Sequence, residues 1–272
     1  MQAREYNEEQ LALFDQIKNG KSFDEGEELP PFYKKMLINL LRMQGDSEYS
    51  GALGYLPWSA KAPTMREKVL VSQIVKDEMR HASVVYKLLE GLGVDTMSHI
   101  EKCELDYKMT EEPEDINIGF TRRKDDYRVN IFYYDIKYWT DFILFNFLMD
   151  RAAGHQLEDT FESSYLPWKR AIAGIYKEEV MHLAHGDKWV EILSQDPKEK
   201  EFLQKRLNVW WPRVMNVFGS TRSSSNDVYV RLGLKKRTNA EVRDAFVKEI
   251  MELTAKHGLT VPEYREEDQL TQ

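Results

Sequence analysis

A chain of 272 residues that is 42% hydrophobic and 31% charged is long enough to bury a sizeable core and too apolar to stay disordered. Its net charge of −8 at pH 7 argues against a nucleic-acid binder, which would carry a basic face. One cysteine, Cys103, allows no internal disulfide and fits a reducing cytoplasm, and the polar opening MQAREYNEEQ reads as no secretory leader.

The punctuation is helical along the whole chain. Pro30 and Pro31 open a segment running to about Pro57. A second opens at residues 62–64 and stops at Gly91 and Gly93. The charged stretch 109–128 has no apolar period and reads as an exposed connection. A third, aromatic-rich helix is expected from Tyr127 to about Leu157; its apolar run FILFNFLM at 142–149 is far too short to cross a bilayer. A fourth covers roughly 168–194, and a fifth begins at Asp196–Pro197 and ends near Gly219. Residues 221–227 read as a loop, and a last amphipathic helix covers about 239–257. Period-2 alternation flanked by hairpin turns is absent. The expected class is all-α, with four long helices as a bundle and additional flanking and C-terminal helices.

Two hexapeptides carry the chemistry: KDEMRH at 76–81 and KEEVMH at 177–182. Projected at 3.6 residues per turn, Glu78 and His81 share a stripe with Val71, Ile74, Val85 and Leu88, and Glu179 and His182 share one with Ile172, Ile175 and Trp189. Ionised groups on apolar faces cost several kcal/mol unless compensated. The other two long helices each carry a single acid on such a stripe: Glu48, with Leu37, Leu41, Gln44, Ala52 and Tyr55, and Asp150, with Trp139, Ile143, Asn146 and Gly154. Glu48 precedes Glu78 by 30 residues and Asp150 precedes Glu179 by 29. One acid from each of two helices and Glu-x-x-His from the other two is the donor set of carboxylate-bridged di-iron and di-manganese bundles. Carboxylates bridge and neutralise two cations, while imidazoles leave positions open for oxygen.

A single Glu-x-x-His is uninformative in a chain of this size, so the weight rests on the whole constellation. The competing reading is four helices held in register by buried Glu–His ion pairs. Asp77 and Glu178, off the apolar stripe, read as solvated or as supporting groups behind the histidines, and His185 as a supporting or structural residue. His99, His155 and His257 show no partner pattern, and the repeated YLPW at 55–58 and 165–168 stands at unequal distances from the two glutamates.

The words around these residues resemble a known family. SEYSGALGYLPWSAKAPTMREKVLVSQIVKDEMRHA, FLMDRAAGHQ and YKEEVMHLAHGDKW are similar to the two ligand halves of the catalytic subunit of bacterial ring-1,2-phenylacetyl-CoA epoxidases, of the phenylacetic acid catabolic family. NVWWPRVMNVFGS and RLGLKKRTNAEVRDAFVKEIMELTAKHGLTVPE resemble its C-terminal region, so the likeness covers roughly 37–264. Benzoyl-CoA epoxidases are a weaker match. The resemblance implies a ferritin-like fold, one domain over 1–272 with a C-terminal extension from about 220, and metal ligands at Glu48, Glu78, His81, Asp150, Glu179 and His182. It further implies two Fe ions, for which Mn is not excluded, and O2 as co-substrate for a monooxygenase that forms an epoxide on the ring of an aryl-acyl-CoA. The implied partners are a separate flavin/iron–sulfur reductase, since the chain has neither a flavin motif nor the cysteines for a cluster, and a related ferritin-like subunit. No nucleic acid and no membrane is expected. The alternatives are a ferritin-like ferroxidase or radical-generating relative, and a non-catalytic scaffold subunit. The 69 residues from His81 to Asp150 exceed the spacing expected of the family. Lys61, Arg66, Lys68, Arg122, Arg123 and Lys124 are the basic candidates for meeting CoA phosphates, against the plainer reading of solvated surface charges.

Overall fold

The computed structural model describes residues 5–102 and 127–264. Cys103, Arg122, Arg123, Lys124 and most of the charged 109–128 stretch lie outside them. In chain order the helices are α1 (Glu8–Lys18), α2 (Pro31–Tyr55), α3 (Trp58–Lys61), α4 (Met65–Gly91), α5 (Thr96–Lys102), α6 (Trp139–Leu144), α7 (Arg151–Glu158), α8 (Leu166–Gln195), α9 (Pro197–Met215), α10 (Ser224–Arg231) and α11 (Asn239–Lys256). A 3-10 turn at Asn130–Tyr133 precedes α6, and another at Asn216–Phe218 follows α9. A π-helical segment, Phe145–Asp150, joins α6 to α7. The described residues contain no strand, only one bridge between Phe23 and Tyr165, and no helix long and apolar enough to cross a membrane. The all-α class is met.

The helix ends follow local chemistry. Pro31 at the first position starts α2, where its missing N–H costs nothing. The Thr64 hydroxyl accepts from the Glu67 amide to cap α4. Asp196 turns α8 into α9 by accepting from the Lys198 and Glu199 amides. Thr238 and Glu241 form a capping box that opens α11.

Two expectations need correction. The third helix does not begin at Tyr127: residues 127–138 are largely irregular and the helix starts at Trp139. Asp141 decides this start. It is fully buried, accepts from the Lys137 and Tyr138 amides at 3.1 Å, and takes Arg206 at 2.6 Å and Trp210 at 2.8 Å from α9. The loop expected at 221–227 gives way to α10 at Ser224, because the Ser223 hydroxyl accepts from the Asn226 amide and caps a helix. Serine and asparagine runs serve caps as readily as loops.

The apolar interior forms two clusters. One gathers Val71, Ile74, Phe142, Leu148, Val190, Trp210 and Phe246, and the other Leu37, Leu41, Val85, Leu89, Trp168 and Ile172. Helices α2, α4 and α8 each run from one cluster to the other, and α4 packs on both α2 and α8. The residues between the two clusters on these helices, and on the π segment, are the acids and histidines singled out by sequence. A polar layer therefore lies across the middle of the bundle.

Candidate metal centre

Glu48, Glu78, His81, Asp150, Glu179 and His182 are all buried, the two histidines completely. One donor atom from each of Glu48, Glu78, His81 and Glu179 lies within 4.8 Å of the others. Glu179 stands between the histidines: its Oε1 is 3.1 Å from His81 Nδ1 and its Oε2 is 3.3 Å from His182 Nδ1. Glu48 approaches the same His81 nitrogen at 3.6 Å, and Glu78 approaches His182 Nδ1 at 3.2 Å. Asp150 lines the pocket shared by Glu48, Glu78 and Glu179. Its oxygens accept from Tyr55 Oη and Asn146 Nδ2, each at 2.8 Å.

The repeated hexapeptide has a geometric reason. Each histidine turns Nδ1 inward and Nε2 outward, and its Nε2 meets the first acid of the other motif. His81 Nε2 is 2.8 Å from Glu178, and His182 Nε2 is 3.8 Å from Asp77. Glu178 is also held by Arg80, and Asp77 accepts from Gln73 at 2.7 Å. An acid behind an imidazole fixes its tautomer and raises its basicity toward whatever the other nitrogen faces. Glu178, partly buried, backs His81 directly, whereas Asp77 is buried but stands beyond hydrogen-bond distance of His182 Nε2.

Do these side chains fit a pair of metal ions? His81 Nδ1 and His182 Nδ1 are buried without a well-aligned hydrogen bond, although carboxylate oxygens surround them. Donors at about 2.1 Å from one ion and at right angles to one another stand about 3.0 Å apart, and the His–Glu separations of 3.1–3.3 Å match that spacing. Four ionised carboxylates carry the charge that two divalent cations balance. In the protein alone protons serve instead. Burial, then the charge of Glu179, pushes Glu78 well above the usual carboxylate range and Asp150 up to about 7. Burial acts against Glu179 too, but its close contacts with His182 and His81, at 3.3 and 3.1 Å, outweigh it and hold that carboxyl at about 2. Burial would lower both histidines, yet their contacts with Glu179, and then with Glu48 or Glu78, raise His81 to about 11 and His182 well above the ordinary value. Protons held this tightly are the ones that cations displace on binding. The donor set fits.

A second network backs Asp150. Asn146 Oδ1 is 3.0 Å from His185 Nδ1, and His185 Nε2 is 2.9 Å from Glu67, which also accepts from Trp189 Nε1 at 3.0 Å. In the sequence His185 reads as a supporting residue, Glu67 is not singled out, and Asn146 is only a member of a stripe. An amide four residues before each single acid is the signal: Gln44 donates to Glu48 at 2.6 Å as Asn146 does to Asp150. Arg151, Asp187 and Glu249 were also missed. His99, without a partner pattern in sequence, is buried against Asp46 at 2.9 Å, and His155 meets Glu249 at 2.7 Å.

Beside the acids lies a cavity of about 40 Å³ whose apolar wall includes Gly51, Phe132, Phe145, Met149 and Ala153. None of the described basic candidates lines it. Lys61 lies over the Trp58 ring at 5.7 Å, Lys68 donates to the Ala60 carbonyl, and Arg66 is exposed.

A family model described as Phenylacetic acid catabolic protein matches residues 10–271. The chain is 30% identical over 239 residues to one of the subunits of the 1,2-phenylacetyl-CoA epoxidase of Escherichia coli (strain K12), covering 86% of this chain and 71% of that one. It is 25% identical over 242 residues to Benzoyl-CoA oxygenase component B of Aromatoleum evansii, covering 81% of this chain but only 49% of that longer protein. The match spans nearly the whole chain and takes in the buried Glu–His layer, and on it the chain belongs to the phenylacetic acid catabolic protein family.

Proposed function

We propose that this protein is the di-iron oxygenase component of an aryl-acyl-CoA epoxidase, with Glu48, Glu78, His81, Asp150, Glu179 and His182 holding two Fe ions and O2 as co-substrate. The observation that carries the reading is the convergence of two Glu-x-x-His helices in a buried layer with an acid from each of two further segments. When bound, the metal pair supplies the electron transfer and oxygen activation that no side chain can. The chain's own residues hold that pair, exclude water and wall the adjacent space with aromatic rings: Phe132 and Phe145 pack at 5.7 Å.

Epoxidation puts one oxygen atom into the ring and sends the other to water, so two electrons must enter from outside. A separate flavin/iron–sulfur reductase is the required donor, and a related ferritin-like subunit the expected structural partner. The described cavity is smaller than the roughly 150 Å³ that accommodates a benzene ring. A phenylacetyl-CoA-like substrate needs this wall to open, and Phe132, on the turn before α6, is a partly buried ring in it. A cytoplasmic location suits such an enzyme and a chain with one cysteine.

Elemental analysis of the purified protein, beside the Glu78→Ala/His81→Ala double variant, tests the centre. Close to two irons per chain, lost in the variant, is the expected result. Oxygen uptake with a reductase should then depend on phenylacetyl-CoA. Uptake with Fe(II) alone would point to a ferroxidase, and a metal-free wild type to a scaffold subunit.

A further inference from the structure

Asp150 ends a π-helical segment, and the chain grips that segment from three sides. In an uninterrupted α-helix the Arg151 amide would donate to the Phe147 carbonyl, four residues back. Here it donates to Leu148 O, and the Arg151 guanidinium takes its place at Phe147 O, with Nη1 at 2.5 Å. The same guanidinium reaches Asp187 of α8 at 2.6 Å and Glu249 of α11 at 2.8 Å, and its side chain is 5% exposed. Glu249 is itself pinned by His155 of α7 through its other oxygen, at 2.7 Å. Gly186, the neighbour of Asp187 on α8, lies directly against the segment: a Cβ there would sit 2.7 Å from the Phe147 nitrogen and 2.9 Å from its Cα. His185, the residue before, takes hold of Asn146. One tripeptide, His185–Gly186–Asp187, thus meets the segment at a side chain, at the backbone and through Arg151.

We propose that Arg151, braced by Asp187 and Glu249, is a positioning residue: its guanidinium grips the Phe147 carbonyl that its own amide has left, steadies the π turn and so sets where Asp150 stands. Glu249 lies on α11, far along the chain from any predicted ligand, so the C-terminal helix becomes part of the machinery that aims one acid of the centre. A π turn leaves the regular ladder at a cost and is kept where it re-aims a side chain. A buried guanidinium with three fixed acceptors has the planar fork this task needs, which lysine lacks. The consequence for metal binding rests on the di-metal reading of the site; the clamp itself does not.

Hydrogen–deuterium exchange on the metal-free protein, with iron titration of the same samples, separates the two. In Arg151→Lys and Glu249→Ala, the amides of residues 145–151 should exchange about tenfold faster than in wild type, with α2 and α4 unchanged. The weaker of two iron affinities should fall at least about tenfold, the scale seen when groups behind ligands are removed. Glu249→Gln keeps an oxygen for Arg151 and should restore both readings. Unchanged exchange in Arg151→Lys and Glu249→Ala overturns the clamp. Faster exchange with both iron affinities intact overturns its role in aiming Asp150. A wild type that binds no iron would sink the di-metal reading, while the exchange would still decide the clamp.

Discussion

The two halves of the buried layer solve one problem in different ways. In the first, α2 and α4 are unbroken helices, and the acid of α2 is a glutamate, Glu48, oriented by a glutamine four residues earlier. In the second, the corresponding pair is Asn146 and Asp150, each one methylene shorter, and the helix that carries them is broken by a π turn packed against a glycine of α8. Reach supplied by a side chain on one side is supplied by backbone on the other. Length and backbone position are therefore interchangeable, but not equally tolerant. A flexible Glu adapts, whereas a short Asp needs its main chain held, which is why Tyr55, Asn146, His185, Glu67 and Arg151 crowd the second half.

The sharpest way to break this comparison is to add a methyl group to one glycine of each half. Gly186→Ala forces a Cβ against Phe147 backbone atoms that cannot rotate away; it should cost about 1–3 kcal/mol in urea unfolding, the usual penalty for overpacking. Gly51→Ala, on α2, first meets side-chain atoms, Glu78 Oε2 at 3.3 Å and Phe132 at 3.4 Å. Replacing a mid-helix glycine there should leave stability unchanged or raise it by roughly 0.5 kcal/mol. Equal losses at the two sites would show that backbone approach does not distinguish the halves.

Next in size are the acids behind the histidines. Glu178→Ala should weaken iron binding by about 10- to 100-fold, because His81 Nε2 loses its partner at 2.8 Å. Asp77→Ala should fall at or below about 10-fold, since its approach to His182 is 3.8 Å. Competition with a chelator of known affinity measures both, and the reverse order would mean that burial of Asp77 matters more than distance. A smaller effect is expected from Trp189→Phe, which removes one of two donors to Glu67 and should cost about 1 kcal/mol in thermal unfolding.

What could be read in the sequence is the part that periodicity governs. The long helices and the inward acids follow from 3.6-residue spacing, since an acid on an apolar stripe is visible wherever the stripe is clean. Asp77 and Glu178 project off the stripe, yet Asp77 is buried, and the pairing of each with the other motif's histidine needs the crossing of α4 and α8, which no single helix encodes. The π turn is invisible for a stronger reason: Trp139 to Gly154 keeps its apolar pattern through the extra residue, so nothing in FILFNFLMD marks where the ladder shifts. Arg151 looks like a surface charge beside Asp150 until α11 covers it. The start of the third helix was misplaced because aromatic residues at 127–138 suit a packed turn as well as a helix, and buried Asp141 decides between them. Helix α1 was missed because the opening residues are polar on most faces, although Asn7 and Gln10 form a capping box.

The finest distinction between the halves is electrostatic, and it falls on Glu249, which has no counterpart behind Glu48 among the described residues. Its carboxyl is held below the usual carboxylate range, first by the hydrogen bond from His155 and, against the opposing effect of burial, by the charge of Arg151. A carboxyl with a depressed value in the folded state favours folding above its unfolded value of about 4.3, and that contribution disappears as the pH falls through the folded value. The side chain is 42% exposed, so solvent screens the pair and the contribution should be at most about 1 kcal/mol. Thermal unfolding of the metal-free wild type and of Glu249→Gln should then show a small gap at pH 7 that persists to about pH 5 and closes below about pH 4. A gap that stays constant down to pH 3 would assign the loss to altered packing around Arg151 and His155. In that case the charge on α11 would be incidental, and the second half of the site would be held by shape alone.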